Sequence, residues 1–284
     1  MTGAAFELPD LVLEPVIRAA LTEDLGAAGD ITSQACIAAD ARLAGAFVVR
    51  RPGIVAGLAC ARLAVRMLDP AARFEALAAD GEAVAAGAAL ARVEGDARAL
   101  LAAERVALNL LCRLSGVATL TAAYVAAVAG TGARIVDTRK TTPGLRGLEK
   151  YAVRCGGGAN HRFGLHDAVL IKDNHVGACG GVGEAVRRAR AAAGHMVKIE
   201  VEIDRLDQLE EALAEKPDIV MLDNFPLPDL DAAVRLTAGR ARLEASGGVS
   251  LDTVAAIAAA GVDLISVGAL THSAPILDIG LDVI

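Results

Sequence analysis

Short apolar runs that end in polar or glycine residues recur through the last two-thirds of the chain. They lie at Ala133–Thr138, Ala168–Asp173, Val197–Ile203, Asp218–Asp223, Arg242–Ser246 and Asp263–Gly268. Between the later ones sit stretches of helical periodicity, at Gly183–Ala193, Leu206–Ala214, Pro228–Thr237 and Leu251–Ala260. From Glu202 to Asp223, on to Ser246 and on to Gly268 the steps are 21, 23 and 22 residues. That is the length of a strand–helix unit, and its repetition predicts a parallel sheet with crossover helices. Arg139, Lys172, Glu202, Asp223 and Ser246 fall at the ends of the predicted strands, where an α/β barrel carries its active site. No G-x-G-x-x-G follows a first strand, which weighs against a dinucleotide-binding doubly wound sheet. Six strands are predicted where a full barrel has eight, so an incomplete barrel is expected.

The first third has a different texture. Ala46–Arg50 and Ile54–Leu58 flank Arg51-Pro52-Gly53, the pattern of a hairpin. Asp80–Gly95 alternates short turns with small apolar positions, a spacing similar to lipoyl or biotinyl carrier domains. A carrier needs a lysine at a turn, and the chain has no lysine before Lys140, so a small β-rich sandwich is the reading that remains. A long helical pattern from about Ala99 to Ala129 links the two parts. The expected division is therefore residues 1–112, with a tail at 273–284 able to pack on them, and a barrel over 113–272.

Composition narrows the function. The 284 residues are 54% hydrophobic but only 2% aromatic, with no Trp, so the core is aliphatic and an aromatic platform for stacking bases is not expected. No uninterrupted apolar run approaches the ~20 residues of a membrane span. The start of the chain lacks the basic and apolar segments of a signal peptide. Five scattered cysteines without C-x-x-C fit reduced thiols in the cytoplasm. The formal charge is −7, yet residues 137–175 hold seven Lys and Arg against four acids, a local +3. Cations gathered into one segment of an acidic chain point to a pocket for a small polyanion and away from a nucleic-acid surface.

Arginine pairs a carboxylate with a planar fork and lysine offers a point charge, so two or three converging in a pocket would hold a dicarboxylate or a phosphate. Arg139 and Lys140 at a strand end, Arg162 after Asn160-His161, and Lys172 within A-V-L-I-K-D-N are the candidates. Arg146, Lys150 and Arg154 recur every four residues, and for them a solvated helix face stays equally open. Gly156-Gly157-Gly158 would let backbone approach a ligand. Ser246-Gly247-Gly248 and Val267-Gly268-Ala269 follow the last two strands, the position of a phosphate site built from backbone N–H groups. Glu200 and Glu202 alternate on one strand and share a face. Glu202 and Asp223 could hold Mg²⁺, directly or through water, or accept bonds from sugar hydroxyls; neutralising nearby cations is the competing role. Of the five histidines, His161 alone is a site candidate.

Taken together, E-D-L-G-A-A-G-D-I-T-S, E-R-V-A-L-N-L-L-C-R-L-S-G-V-A-T, D-T-R-K-T-T-P-G-L-R, N-H-R, K-D-N-H, E-V-E, M-L-D-N-F, S-G-G and V-G-A-L-T-H-S resemble the quinolinate phosphoribosyltransferases over nearly the whole chain. The resemblance implies an N-terminal α/β sandwich joined to an incomplete, TIM-like α/β barrel, and a homodimer in which Arg105 is contributed across the interface. It implies that Arg105, Thr138, Arg139, Lys140, His161, Arg162 and Lys172 surround the two quinolinate carboxylates. Glu202 and Asp223 would face the ribose and Mg²⁺ of phosphoribosyl pyrophosphate. Ser246, Gly247, Gly248, Gly268 and Ala269 would hold its 5′-phosphate. The implied reaction is phosphoribosyl transfer with decarboxylation, giving nicotinate mononucleotide for NAD biosynthesis, with small-molecule partners and neither nucleic acid nor membrane.

Two rival chemistries share parts of this pattern. A related phosphoribosyl- or ribosyl-transferring enzyme would take another nitrogenous acid. A Schiff-base aldolase would use Lys172 as nucleophile, but that account leaves the other cations without a role.

Overall fold

The computed structural model describes residues 8–284, and the chain divides into two compact units. The first comprises Met1–Ala122, Thr141–Gly157 and Ser273–Ile284; the second comprises Ala123–Lys140 and Gly158–His272.

In the first unit, β1 (Arg42–Val49), β2 (Gly53–Ile54), β3 (Arg73–Ala76), β4 (Ala83–Val84) and β5 (Ala89–Asp96) precede the long helix Ala97–Ala127. A four-stranded antiparallel sheet has the order β12-β1-β5-β3, where β12 is Ile279–Val283 from the far end of the chain. Helices Asp10–Leu25 and Leu58–Leu68 pack on each other and bury Leu13, Ile17, Leu21, Ala61 and Val65. Phe47 and Phe74, two of the chain's few aromatics, meet with tilted rings at 6.0 Å between centroids.

The expected hairpin around Arg51-Pro52-Gly53 does not form. Both edges of β1 are already taken, by β5 and by β12, and the Arg50 N–H continues that pairing to the Asp278 carbonyl. β2 pairs instead with β4. From Gly57 the chain enters a helix whose first N–H groups are capped by Asp80, which accepts from Gly57 and Leu58 at 2.9 and 3.2 Å. The N-terminal Asp30 has a similar task, accepting from the Thr32 and Ser33 N–H groups at the start of helix Ile31–Cys36.

Helix Ala97–Ala127 is long and apolar enough to cross a membrane. Its Leu100, Ala103, Ala107, Leu111, Leu114, Val117 and Ala118 are buried within the protein, which accounts for that composition as core.

The second unit holds β6 (Arg134–Val136), β7 (Val169–Ile171), β8 (Ile199–Ile203), β9 (Ile219–Asp223), β10 (Arg242–Ser246) and β11 (Leu264–Ser266). They form one parallel sheet of order β6-β11-β10-β9-β8-β7. Sequence neighbours from β7 to β11 are therefore also spatial neighbours, and the last of them pairs with the first strand of the unit. β6 and β7 are not hydrogen-bonded neighbours, so the ring is left open there. These strands are aliphatic because both faces are buried: Ile199, Val201, Ile203, Val220, Leu222, Leu243 and Ile265 are each at most 2% exposed. Helices Val182–Ala192, Leu209–Ala214, Leu227–Thr237 and Leu251–Ala259 make the crossovers. The parallel arrangement brings all six strand C-termini to one end, and the polar residues that terminate the apolar runs gather there.

Candidate functional site

A cavity of about 620 Å³ opens at these strand ends. Thr138, Arg139 and Lys140 enter it after β6, Leu170 and Lys172 from β7, and His161 and Arg162 from the segment before β7. Glu202, Met221 with Asp223 and Asn224, Glu244 with Ser246 to Gly248, and Ser266 continue the wall from β8 to β11. The expected incomplete barrel with its chemistry at one end is the fold observed.

The cationic side is held by short local bonds. The Thr138 hydroxyl accepts from the Lys140 N–H at 3.0 Å, closing a turn that follows β6, and the Lys140 carbonyl accepts from the Thr271 hydroxyl at 2.8 Å. Asp137, fully buried, accepts from the Asn160 amide at 2.6 Å and from the His161 N–H at 2.9 Å. Asp167 accepts from the Phe163 and Gly164 N–H groups at 2.7 and 2.9 Å. Burial raises the Asp167 pKa, but those N–H bonds outweigh it and leave the carboxyl below its ordinary value. The segment from Asn160 to Asp167 is thereby fixed at both ends.

Arg162 donates from Nη1 to the Ala168 carbonyl at 3.1 Å, while its buried Nε has no partner among the described residues. Burial lowers its pKa first, and the neighbouring Arg139 lowers it further, against the opposing pull of Glu200 and Asp167. Two guanidiniums that line one cavity repel each other, and a bound anion would relieve that repulsion and fill the open donor. Lys172 pairs with Glu202 at 2.7 Å, and its own N–H is taken by His175 Nδ1 at 2.9 Å.

Opposite lies the turn after β10. Gly247 has φ +90°, and a Cβ there would come 2.1 Å from the Asn224 side-chain oxygen, so glycine is required on two counts. Gly248 also has positive φ, at +59°. The turn leads into helix Leu251–Ala259, capped by the Ser250–Thr253 pair. A Cβ on Gly268 would press on Lys140 and His272 at 3.2 and 3.1 Å.

Behind the cations sit two buried acids. Glu200 and Glu244 are 4% and 1% exposed, and each has an oxygen without a hydrogen-bond partner among the described residues. His161 Nε2 lies 2.9 Å from Glu200 Oε2 and 3.6 Å from Glu244 Oε1. Burial, and then the Glu200 charge, push the Glu244 carboxyl up to about 8.

The cavity brings together Thr138, Arg139, Lys140, His161, Arg162, Lys172, Glu202, Asp223, Ser246, Gly247 and Gly248, all candidates from the sequence. Gly268 and Ala269 are not among its lining residues, nor is Arg105, which is exposed on helix Ala97–Ala127. The Arg146, Lys150 and Arg154 series contributes nothing to the lining; Lys150 is fully buried, whereas Arg154 is exposed, so the series is neither a ligand wall nor a uniformly solvated face. The glycine triplet also stays outside the lining. A Cβ on Gly156 would meet the Ala118 carbonyl at 2.3 Å, so close packing requires that glycine. Sequence reasoning missed Leu170, Met221, Asn224, Glu244 and Ser266. Glu244 had a signal: it stands two residues before Ser246 and therefore on the same strand face.

An α/β barrel-like unit with cations, carboxylates and a glycine turn at its strand ends defines an enzyme that binds small polyanions. Which one, comparison settles. Residues 30–115 match the family model "Quinolinate phosphoribosyl transferase, N-terminal domain", and residues 117–282 match its C-terminal domain. The chain is 51% identical over 271 residues to the nicotinate-nucleotide pyrophosphorylase [carboxylating] of Mycobacterium leprae, covering 94% of this chain and 95% of the relative. The probable enzyme of the same name from Bacillus subtilis is 46% identical over 273 residues, covering 96% and 94%. The solved structure of the nicotinate-nucleotide pyrophosphorylase from Francisella tularensis superposes with a TM-score of 0.94 over the whole of both chains at 40% identity. The chain belongs to the quinolinate phosphoribosyltransferase family.

Proposed function

We propose that this chain transfers the phosphoribosyl group of phosphoribosyl pyrophosphate to the ring nitrogen of quinolinate. One carboxylate leaves as CO₂, and the products are nicotinate mononucleotide and pyrophosphate, a step of NAD biosynthesis. The supporting observation is the arrangement of one cavity. Arg139, Lys140, Arg162 and Lys172 line it together with the Ser246–Gly248 turn, with Glu202 and Asp223 also in the wall.

In this reading the cations hold the two carboxylates of the acid, and the backbone N–H groups of the glycine turn, with Gly268 and Ala269, hold the 5′-phosphate. Glu202 and Asp223 face the ribose hydroxyls. Both are oxygen donors at neighbouring strand ends and fit a hard divalent ion such as Mg²⁺, which when bound would supply positive charge to the departing pyrophosphate. The bond from the anomeric carbon to pyrophosphate breaks, and the pyridine nitrogen forms the new bond to that carbon. The nitrogen then carries positive charge and stabilises the electron pair left on the adjacent ring carbon when its carboxylate departs as CO₂, and that carbon takes up a proton to complete the product. The protein's share is orientation and charge neutralisation, and no covalent enzyme intermediate is needed.

Arg105 of the partner subunit would complete the anion wall in a homodimer, and five free cysteines fit a reducing, cytoplasmic setting. The test is release of labelled CO₂ from quinolinate. It should depend on phosphoribosyl pyrophosphate; turnover of nicotinate in its place, with quinolinate inert, would overturn the assignment. Mixing Arg105→Ala with Lys172→Ala chains should restore part of the activity lost in each, and no recovery would count against a shared site.

A further inference from the structure

His161 lines the cavity, but its ring faces away from an anion-binding role. The Arg162 N–H donates to Nδ1 at 2.8 Å, and a nitrogen that accepts cannot also carry a proton. The ring proton is therefore on Nε2, which points at Glu200 Oε2 at 2.9 Å with Glu244 Oε1 at 3.6 Å. The side chain is 11% exposed, so water does not compete freely for either nitrogen.

We propose that Glu200 is a positioning residue, supported by Glu244, that locks His161 as the neutral Nε2–H imidazole and so sets the aim of Arg162. Glu200 acts from β8 on the ring of His161. Asp137 holds the His161 N–H, and the ring in turn receives the Arg162 N–H. Three consecutive backbone and ring bonds thus fix the orientation of the residue whose guanidinium enters the cavity with an open Nε. Turning the ring over would set the Cδ2–H against the Arg162 N–H and lose that bond, and moving the ring proton to Nδ1 would set one N–H against another. The three side chains also converge closely enough to hold a metal ion. An ion there would need the Nε2 proton removed, so the protonation state of that nitrogen separates the two arrangements.

This inference rests on the proposed reaction only for its kinetic readout. The direct experiment is long-range ¹H–¹⁵N correlation on histidine-labelled enzyme at neutral pH, with the His161 signals assigned through a His161→Gln variant. The expected pattern is Nε2 protonated and Nδ1 bare, unchanged on adding Zn²⁺ or Mn²⁺. A protonated Nδ1, or loss of the Nε2 proton on adding metal, would overturn the proposal. Glu200→Gln keeps an acceptor for Nε2–H and should preserve the pattern. Glu200→Leu should disturb it and raise KM for quinolinate about tenfold or more, with KM for phosphoribosyl pyrophosphate near its normal value. An equal rise in both KM values, or a Gln variant as impaired as Leu, would reduce Glu200 to a structural role. Failure of the wild-type enzyme to use quinolinate would sink the reaction assignment and leave the NMR result to be judged by itself.

Discussion

Arg113 in the first unit and Arg162 in the second are both half-buried guanidiniums, and they are treated in opposite ways. Arg113 donates from Nε and Nη2 to Glu149 Oε1, at 3.1 and 2.9 Å, and from Nη1 to the Ala274 carbonyl at 2.9 Å. Glu149, fully buried, also accepts from the Thr142 N–H and hydroxyl. Every strong donor direction is spent inside the fold. Arg162 spends one donor on Ala168, leaves Nε open and stands beside another arginine. A buried charge whose bonds are complete belongs to the architecture, whereas one left incomplete beside its like is waiting for a ligand.

The contrast can be broken at either end. Glu149→Ala should give the largest effect, about 3–5 kcal/mol lost in urea denaturation, because it strands Arg113 without its counter-charge. Replacing Arg113 and Glu149 together by apolar residues should cost much less. Comparable losses would mean the pair is more than a neutralised couple. Arg162→Ala should leave the melting temperature unchanged or raised, because one of two repelling cations is gone. It should lower kcat/KM for quinolinate by about 10²–10³-fold, the cost of an unpaired charged group on the ligand. Near-normal kinetics would remove Arg162 from the binding wall.

A smaller effect concerns pH. Unfolded Glu244 loses its proton near 4.5, whereas the folded residue, buried and beside Glu200, keeps it to about 8. Its stabilising contribution is full below the lower value and disappears as pH rises through the upper one. Glu244→Gln should therefore flatten the decline of thermal stability across that window, and an unaltered slope would show that Glu244 is ionised in the fold. The smallest expected effect is at the surface. Arg240→Ala breaks an exposed pair with Glu210 and should leave both stability and kinetics where they were.

The barrel-like unit was legible in the sequence because each of its strands is a short aliphatic run closed by a polar residue. Arg242–Ser246 was read to the residue, and the other five strands lie inside their expected ranges. The polar terminators were legible as site residues for the same reason: parallel topology sends every strand end to one place. The first unit was harder to read. The partner of β1 that displaced the expected hairpin is β12, and no local pattern near residue 50 announces a strand more than 200 residues away. Glu244 was missed because a lone glutamate inside an aliphatic strand reads as tolerated polarity until its neighbours are known. The same holds for His161. Its place beside the cations could be read from N-H-R, but the orientation of its ring is tied to Glu200 and to the Arg162 N–H, partners that only the fold brings to it.

The insertion of β12 beside β1 has a bearing on biogenesis. Arg50 and Asp282 meet across 232 residues of chain, in an ion pair at the margin of the first sheet. Residues 42–96 emerge from the ribosome well before residues 279–283, and until those are made their sheet stays one strand short, with an unsatisfied edge. The barrel-like strands thus have the whole interval to assemble first, and a nascent chain halted before residue 279 would expose β1 as a template for aggregation.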